Sequence, residues 1–449
     1  MRPWTDLRRK MPDRIEEIRA YLNRLFPVCR SITGPGNRET LKVLQEIVPL
    51  EIKEYPSSRP VYDWVVPPEW SIREAWIKNP DGQKIVDFDR SNLHVVSYSR
   101  PVSGKVSLAE LENHLHYRTV LPRAIPYRTS YYREDWGFCL SYEDYQRFFR
   151  KEGEYEVLID STLEEGALTV GELLVRGDSP REYLISTYFC HPSLANDNLS
   201  GVVLTAFLAR ELSRRKNNFS YRIIFVPETI GAVAYCAHNE AAMKAIDCGF
   251  VITSVGGPGR FGYKRSFDPE HVINRIIEQA FQESGIEYLV YPFDIHGSDE
   301  RQYSSPGFRI NMASICKDKY YEYDFYHTSL DNLDFVKPEF IEQSLRLYLD
   351  VIGRLDDNLV FVNQQPHCEV MLFRHGLYPK SGGGMLPGRN TSEELDIILW
   401  LLFLCDGTAS LWQVAEKTGF DFKDIVRVAG MLESRGLLKR IDERMTNQS

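Results

Sequence analysis

The sequence predicts an α/β fold, in which helices cover both faces of a β-sheet, together with two further domains. From residue 156 to residue 360, short β-branched runs alternate with helical patterns, an order typical of an α/β sheet. Over roughly 60–155, aromatic and β-branched runs between turn signals indicate an inserted β-rich domain. Over 361–449, a linker leads to three short helical patterns and a strand-like segment, which indicate a winged helix. Residues 1–59 complete the α/β domain.

Hydrophobic periodicity locates the individual elements in chain order. Apolar residues at helical spacing predict the first helices over 13–26 and 38–47. In the inserted domain, Ser107 is a possible N-cap for a helix over 108–116. In the α/β region we expect strands over 157–160, 168–175, 183–188, 222–226, 249–253 and 311–316, and helices over 201–214, 232–246, 269–283 and 338–353. In the C-terminal domain we expect helices over 392–405, 410–417 and 422–434.

Composition narrows the class of protein. The chain has 449 residues, and its 43% hydrophobic and 26% charged residues are ordinary for a globular protein, which argues against disorder. A net charge of -9 argues against non-specific binding of phosphate as the main activity. The longest apolar run, 397–405, is far shorter than the ~20 residues that span a bilayer. The 8 cysteines of the chain are widely spread without a C-x-x-C pair, which is typical of reduced thiols. We therefore expect a cytoplasmic protein with no membrane partner.

Polar residues that can bind a metal follow the ends of predicted strands. The strand over 183–188 leads into a loop with His191 and Asp197, and the next strand leads to Glu228. His327 lies in a later polar turn that precedes a helix. Ligands of α/β sheets bind where strands end, and catalytic zinc keeps three protein ligands and a water. We therefore expect a metal site, although His191 and Asp197 could instead cap the helix that follows them.

Three sequence blocks resemble those of a known enzyme family. Asn196-Asp197-Asn-Leu-Ser-Gly201, the turn at Glu228 and Tyr326-His327-Thr-Ser-Leu-Asp331 resemble, in order and spacing, the signature blocks of the co-catalytic zinc aminopeptidases. The whole chain also resembles a bacterial group of aminopeptidase-like proteins with an inserted β domain and a C-terminal winged helix. The stretches that carry this second resemblance are Arg30-Ser-Ile-Thr-Gly34, Tyr62-Asp-Trp-Val-Val-Pro67 and Trp136-Gly-Phe-Cys139. The resemblance implies a mixed-sheet, zinc-peptidase-like α/β/α sandwich.

The resemblance also implies roles for individual residues. It makes His191 a zinc ligand, Asp197 the carboxylate that bridges two metals, Glu228 the general base and His327 a ligand of the other metal. The chain departs from the family at two ligand positions, since Thr229 stands where the family has a second acid and the segment Ile252-Thr-Ser-Val-Gly-Gly257 lacks the usual Asp.

These departures leave three ligands, His191, Asp197 and His327, which is the number that one zinc ion with an open position needs. Glu228 would then take the proton of the metal-activated water and return it to the leaving amine. An alternative makes Glu228 itself a ligand, which would leave no obvious base.

A second acidic pair resembles the Ser-Asp block that precedes the last ligand in this family. Asp299 and Glu300 lie in His296-Gly-Ser-Asp-Glu-Arg301. We expect these carboxylates either to support the metal ligands or contact the substrate, or else to belong to a plain surface loop.

The expected function is a zinc-dependent, aminopeptidase-like hydrolase that cleaves an amide or peptide bond in a peptide or a small amide-containing substrate. One alternative is a non-catalytic scaffold or binding protein with a relic metal site, and another is a winged-helix regulator. The region 391–449 holds seven basic and ten acidic residues, and its expected recognition helix offers only Lys423 and Arg427 as basic residues. DNA-reading modules normally present a basic face, so a nucleic-acid partner is disfavoured. The preferred role of the winged helix is a contact with another protein or dimerisation, which would make the chain a homo-oligomer through this domain.

Overall fold

The structure, a computed structural model, describes residues 11–377 and 393–441. The chain forms two compact units, one over Met1–Asp350 and the other over Val351–Ser449. In the described ranges, no helix is long and apolar enough to cross a membrane.

The strands, numbered in chain order, occupy both units. They are β1 (Glu51–Pro56), β2 (Pro60–Val61), β3 (Trp64–Val65), β4 (Glu69–Lys78), β5 (Lys84–Asp87), β6 (Val102–Ser107), β7 (Leu115–His116), β8 (Phe138–Cys139), β9 (Glu154–Glu164), β10 (Ala167–Val175), β11 (Glu182–Tyr188), β12 (Ser220–Val226), β13 (Cys248–Val251), β14 (Phe261–Lys264), β15 (Tyr288–Tyr291), β16 (Asn311–Lys317), β17 (Val360–Asn363), β18 (Asp406–Ser410) and β19 (Leu438–Arg440).

The α-helices are numbered in the same way. They are α1 (Met11–Leu25), α2 (Pro35–Leu44), α3 (Leu108–Leu111), α4 (Tyr142–Phe148), α5 (Gly201–Ser213), α6 (Ile230–His238), α7 (Glu240–Lys244), α8 (Val272–Ser284), α9 (Glu300–Tyr303), α10 (Pro338–Asp356), α11 (Glu393–Leu404), α12 (Leu411–Thr418) and α13 (Phe422–Ser434). Short 3-10 turns cover Phe88–Arg90, Asn92–His94, Glu112–His114 and Leu372–His375, and an irregular turn covers Ala195–Ser200.

A mixed eight-stranded sheet is the centre of the larger unit, with the strand order β1-β10-β12-β11-β13-β16-β14-β15. Its central strands β12, β11, β13 and β16 are parallel neighbours. β10 and β14 are antiparallel to β12 and β16 respectively. Parallel neighbours require a crossover, and α5 and α6 supply crossovers in this sheet. The predicted α/β class is therefore confirmed, and the carboxyl ends of β11 and β12 lie at the same edge.

A separate four-stranded sheet with the order β5-β4-β9-β6 combines three strands of the region that the sequence analysis treated as an insertion with β9, most of which lies beyond residue 155. Its antiparallel strands pack on an apolar cluster of their own, which includes Trp136, Phe138 and Tyr155. The strand expected over 157–160 was assigned to the α/β sheet, and this assignment is wrong. It is part of β9, whose alternating burial is typical of an antiparallel strand with one face in the core.

Other differences from the predicted elements have local causes. The sequence analysis did not find the edge strands β1 and β15, both of which are largely uncovered. β1 has no strong hydrophobic pattern, and β15 is an apolar run of only four residues, which is too short for periodicity to identify. The helix expected over 108–116 ends at Leu111, although its Ser107 cap is confirmed because the Ser107 side chain accepts a hydrogen bond from the Glu110 amide. The helix expected over 232–246 is interrupted at Asn239, between α6 and α7.

The smaller unit has the elements of a winged helix. Strands β18, β17 and β19 form a three-stranded sheet, and α11, α12 and α13 are its main helices. The first turn of α12 carries a capping box between Ser410 and Gln413, which satisfies backbone donors at the helix start. The predicted winged helix is therefore confirmed, with residues 378–392 and 442–449 outside the described part.

Candidate metal centre

The loop that follows β11 and the turn that follows β12 leave the sheet side by side. Tyr188 at the end of β11 is paired in register with Val226 at the end of β12, and the Phe189 amide donates to the Val226 carbonyl at 3.0 Å. Both strands are buried over nearly their whole length, which fixes the direction of the residues that follow. His191 and Glu228 therefore emerge together, and His191 Nε2 lies 3.8 Å from Glu228 Oε2.

His191 is buried, and its backbone is held by a hydrogen bond. The Arg30 guanidinium, itself buried, donates from Nε to the His191 carbonyl oxygen at 3.0 Å. Burial is the largest cause and lowers the pKa of His191 to about 4; the negative charge of Asp197 opposes it, and His327 and Arg30 make smaller lowering contributions. The ring is therefore neutral at physiological pH, which is the form that binds metal ions.

Asp197 lies at the bottom of the site and is 1% exposed. Its Oδ1 accepts a hydrogen bond from the Tyr188 hydroxyl at 2.5 Å. Although burial opposes ionisation, the neighbouring His191 and His327 and the Tyr188 hydrogen bond lower the pKa of Asp197 to about 2. Asp197 is therefore a carboxylate with one oxygen occupied by a phenol.

The other oxygen of Asp197 faces His327. His327 Nε2 lies 2.9 Å from Asp197 Oδ2, but the angles do not make a hydrogen bond, and neither buried atom has a hydrogen-bond partner among the described residues. His191, Asp197 and His327 each offer a ligand atom within 4.8 Å of the others. The structure therefore brings together the three residues that the sequence analysis named as metal ligands, although their sequence positions span 137 residues from His191.

A second group of possible ligand atoms overlaps the first. Cys190, His191 and Glu228 also offer atoms within 4.8 Å of one another. Burial raises the pKa of the Cys190 thiol well above its usual value, and Cys190 Sγ already accepts a hydrogen bond from the Glu228 amide at 3.3 Å. The thiolate that a metal would need is therefore disfavoured, and this group is less suitable than the first.

Asp331 joins the two loops that carry the candidate ligands. Its Oδ1 accepts from the Asn196 amide at 2.6 Å, and its Oδ2 accepts from the Asp197 amide at 3.0 Å and from the Tyr323 hydroxyl at 2.9 Å. Its own carbonyl accepts from the Ala195 amide at 2.9 Å. The sequence analysis quoted Asp331 within a block but gave it no role. The structure shows that it ties the Asp197 loop to the His327 segment.

Glu228 lies beside two buried carboxyl groups. Asp299 Oδ1 accepts from the Thr229 amide at 2.8 Å, and Glu300 Oε1 accepts from the Ser314 hydroxyl at 2.7 Å. Asp299 and Glu300 are 0% and 1% exposed, so the alternative that they form a surface loop is wrong. Burial raises the pKa of Glu228 well above its usual value, and the charges of Asp299 and Asp197 add to this effect. Burial likewise raises the pKa of Asp299 to about 7.

Three further residues contact the site and had no role in the sequence analysis. Tyr188 donates to Asp197, Arg30 supports His191, and the ring of Tyr127 lies 5.0 Å from that of His191. Arg30 lies in a stretch that carried the family resemblance, and Tyr188 ends a predicted strand, so both had a weak signal in the sequence. Tyr127 had none, because its proximity to the site is created by long-range folding.

Two protein-family models match the chain. A family model described as a domain of unknown function, DUF4910, matches residues 19–358. The chain belongs to this family. A second model, described as a winged helix-turn-helix, matches residues 359–440. The DUF4910 region thus holds every residue of the candidate metal centre, and the winged helix follows it.

Two proteins that are similar to this chain have names that refer to an aminopeptidase-like domain or to a peptidase. A Clostridium acetobutylicum protein, provisionally named a polysaccharide biosynthesis protein with an aminopeptidase-like domain, is 42% identical over 425 residues, which cover 95% of this chain and 96% of the relative. A crystal structure from the same organism, of a protein provisionally named a peptidase, matches with a TM-score of 0.85 and 40% identity. It covers 97% of this chain and 100% of that one.

More distant structures share the fold. A zinc aminopeptidase from Bacillus subtilis matches with a TM-score of 0.57 and 14% identity, over 76% of this chain and 94% of that one. An M28 peptidase precursor from Shewanella amazonensis matches with a TM-score of 0.53 and 14% identity, over 75% of this chain and 91% of that one. The predicted zinc-peptidase-like fold of the DUF4910 member is therefore confirmed.

Proposed function

We propose that this protein is a zinc-dependent hydrolase that cleaves an amide bond, with Glu228 as the general base. The observation that carries the proposal is the pair of unpartnered atoms, His327 Nε2 and Asp197 Oδ2, which face each other at 2.9 Å in a buried site. A buried polar atom without a partner is costly, and a cation that binds both atoms removes this cost.

The donor set is suitable for zinc. Imidazole nitrogen and carboxylate oxygen are common zinc donors, and two donors at about 2.0–2.2 Å from one tetrahedral ion would lie roughly 3.3–3.6 Å from each other. His327 Nε2 and Asp197 Oδ2 are 2.9 Å apart, so a shift of about half an ångström would let both bind one ion. The neutral state of His191 and the ionised state of Asp197 are the forms that coordinate a metal.

The surroundings of Asp197 support a single ion. A carboxylate that bridges two metals uses both oxygens, whereas Asp197 Oδ1 already accepts a hydrogen bond from the Tyr188 hydroxyl. Tyr188 is held in this position by Thr253 Oγ1 at 2.7 Å. The chain also has Thr229 and the segment 252–257, which contains no carboxylate, where the zinc aminopeptidases that it resembles have further acids. One zinc ion bound by His191, Asp197 and His327 is therefore the proposed occupancy.

Glu228 is placed to move a proton beside these ligands. When bound, zinc supplies Lewis acidity, which polarises a carbonyl group and favours the ionisation of water. Glu228 accepts the proton of the attacking water and returns it to the leaving amine. Its 3.8 Å approach to His191 Nε2 puts its carboxylate next to the ligand set, and the Thr229–Asp299 hydrogen bond fixes the turn that carries it. A divalent cation at this site opposes the effects that raise the pKa of Glu228.

The test combines metal analysis with a panel of amide substrates. Purified protein is expected to hold about one zinc per chain, and His327→Ala is expected to lose it. The panel contains aminoacyl p-nitroanilides, peptides and N-acetylated amino sugars, the last because the Clostridium acetobutylicum relative carries a polysaccharide biosynthesis name. Glu228→Gln should abolish hydrolysis and retain zinc, whereas Glu287→Gln, a change at an exposed glutamate, should leave both unchanged.

Each failure of this test has a separate meaning. Two tightly held zinc ions per chain would contradict the single-ion site. Loss of zinc in Glu228→Gln would make Glu228 a ligand and remove it as the base. Zinc binding without hydrolysis of any member of the panel would favour a binding protein with a relic metal site.

A further inference from the structure

The inserted region reaches the candidate metal centre through the segment 125–127. Pro126 and Thr328 form an antiparallel bridge between this segment and the turn that carries His327. The Tyr127 amide donates to the His327 carbonyl at 2.8 Å, and the Ser329 amide donates to the Ile125 carbonyl at 2.8 Å. The Ile125 amide also donates to Ser329 Oγ at 3.0 Å. The His327 turn is therefore held as a short ladder against a segment nearly 200 residues earlier in the sequence.

This ladder puts the ring of Tyr127 against both imidazoles. The centroid of the Tyr127 ring lies 5.0 Å from that of His191 and 5.1 Å from that of His327, with an interplanar angle of 88° to His327. The two imidazole centroids lie 5.4 Å apart, so the three rings form a nearly equilateral triangle. Tyr127 is buried, and its hydroxyl shares a hydrogen bond with the Tyr131 hydroxyl at 3.0 Å. The ring is thus fixed at both ends, by its backbone and by its hydroxyl.

The two imidazoles lack the usual means of orientation. A metal-binding histidine commonly donates its second ring nitrogen to a carboxylate or a backbone carbonyl, which fixes the plane of the ring. Among the described residues, Nδ1 of His191 contacts only the thiol of Cys190, with Sγ at 3.6 Å, which is a weak interaction. His327 has no side-chain hydrogen bond to a described residue, and its ring is stacked on Tyr326 at 4.0 Å. Packing must therefore set the two ring planes.

We propose that Tyr127 is a positioning residue of the metal centre, which holds the His191 and His327 imidazoles at the separation that one ion needs. The proposal rests on the metal site of the proposed function. It assigns the inserted region a part in assembling that site, because the ring that spaces the ligands comes from this region and not from the α/β sheet. Loss of the ring would leave a gap between the imidazoles, and their planes would no longer be fixed relative to each other.

The test measures Co²⁺ binding to the metal-free protein, because Co²⁺ reports on ligand geometry through its visible absorption. Tyr127→Leu removes the aromatic ring, Tyr127→Phe keeps the ring and removes only the hydroxyl, and Tyr131→Phe breaks the same hydroxyl pair from the other side. We expect Tyr127→Leu to bind Co²⁺ about 10- to 100-fold more weakly, the effect typical of residues that orient metal ligands. Its Co²⁺ spectrum should also change in intensity and position, whereas both phenylalanine variants should keep the wild-type spectrum.

A purely structural role for Tyr127 predicts a different result. In that case the metal-free Tyr127→Leu protein would unfold more easily, but its folded fraction would bind Co²⁺ with wild-type affinity and an unchanged spectrum, which would overturn the proposal. If Tyr127→Leu does not fold, Tyr127→Met, which fills the same space with a flexible side chain, is measured in its place. Absence of Co²⁺ binding by the wild-type protein would overturn the proposed function itself and this inference with it. Binding by the wild-type protein that the loss of the ring leaves unaltered would overturn only the role of Tyr127.

Discussion

Replacement of Asp331 by Asn tests whether this side chain holds the Asp197 loop in place. The two carboxylate oxygens of Asp331 serve different backbone donors, the amide of Asn196 at 2.6 Å and the amide of Asp197 at 3.0 Å. An asparagine side chain has only one acceptor oxygen. In Asp331→Asn, one of these buried amides therefore faces an NH₂ group and loses its partner.

The expected cost follows from these contacts. Asp331 is 0% exposed, so water cannot replace the lost acceptor. An unsatisfied buried donor costs about 1–3 kcal/mol. Burial raises the pKa of Asp331 to about 7, so above that pH the loss of a charged acceptor places the change near the upper end of this range. A loss of about 2–3 kcal/mol in the local stability of the loop corresponds to a roughly 30- to 160-fold larger equilibrium population of the opened loop, at 1.36 kcal/mol per factor of ten. Zinc affinity should fall about 10- to 100-fold, since Asp197 is no longer held in its binding position.

Hydrogen exchange of the metal-free protein measures this effect directly. The amides of Asn196 and Asp197 should exchange faster in Asp331→Asn by the factor given above, while amides of the central sheet should keep their protection. Asp334→Asn is the matched control, because Asp334 is exposed and lies three residues further along the same segment. Exchange within twofold of the wild-type rate, together with wild-type zinc affinity, would refute the idea that Asp331 braces the ligand loop.

Three further predictions concern charge and metal. Asp299→Asn keeps an acceptor for the Thr229 amide but removes a carboxyl group whose negative charge, present above its pKa of about 7, raises the pKa of Glu228. The pKa of Glu228 should therefore fall, and the acidic limb of the pH–kcat/KM profile should move to lower pH; an unmoved limb would disprove this coupling. The Arg38 hydrogen bonds lower the pKa of Glu69 below 4.5, although burial opposes them. Ionised Glu69 therefore stabilises the folded protein above pH 4.5, and this contribution to the free energy of unfolding disappears as the pH falls through the pKa of Glu69 in the folded state. Glu69→Gln should therefore reduce the free energy of unfolding at pH 7 and have little effect at low pH, with exposed Glu74→Gln as the control. Removal of zinc by a chelator should lower the unfolding temperature, because only the folded chain assembles the ligands, and an unchanged temperature would argue against a bound metal.

The parallel part of the large sheet is encoded in short stretches of sequence. Strands β11 and β12 are rich in apolar residues and buried over nearly their whole length, a pattern that local sequence can identify because both faces of a central parallel strand are buried. Strand β9 shows where this local reasoning fails. Its β character is evident from the sequence, but the sheet to which it belongs depends on its pairing with β4 and β6, which are distant in sequence.

The candidate site divides in the same way. The residue types His191, Asp197, Glu228 and His327 could be selected from the sequence, because they follow strands whose ends meet at one edge of a sheet and because they occur in blocks with a family resemblance. Whether these side chains are buried, and which protonation state they adopt, could not be predicted from the sequence. The pKa of a carboxyl group such as that of Asp299 depends on the solvent and charges around it, and these are known only when the chain has folded.

By itself, the sequence determined the α/β class, the winged helix and the chemical identity of the proposed ligands, since these depend on periodicity and on residue type. Only the tertiary structure decided that Tyr188 occupies one oxygen of Asp197, that Asp331 joins the two ligand loops and that Tyr127 packs against both imidazoles. Each of these contacts depends on the three-dimensional packing of side chains around the ligand loops. Hydrophobic patterning specifies which face of an element is buried, but the partner that a side chain meets there is fixed by the packing of the whole domain.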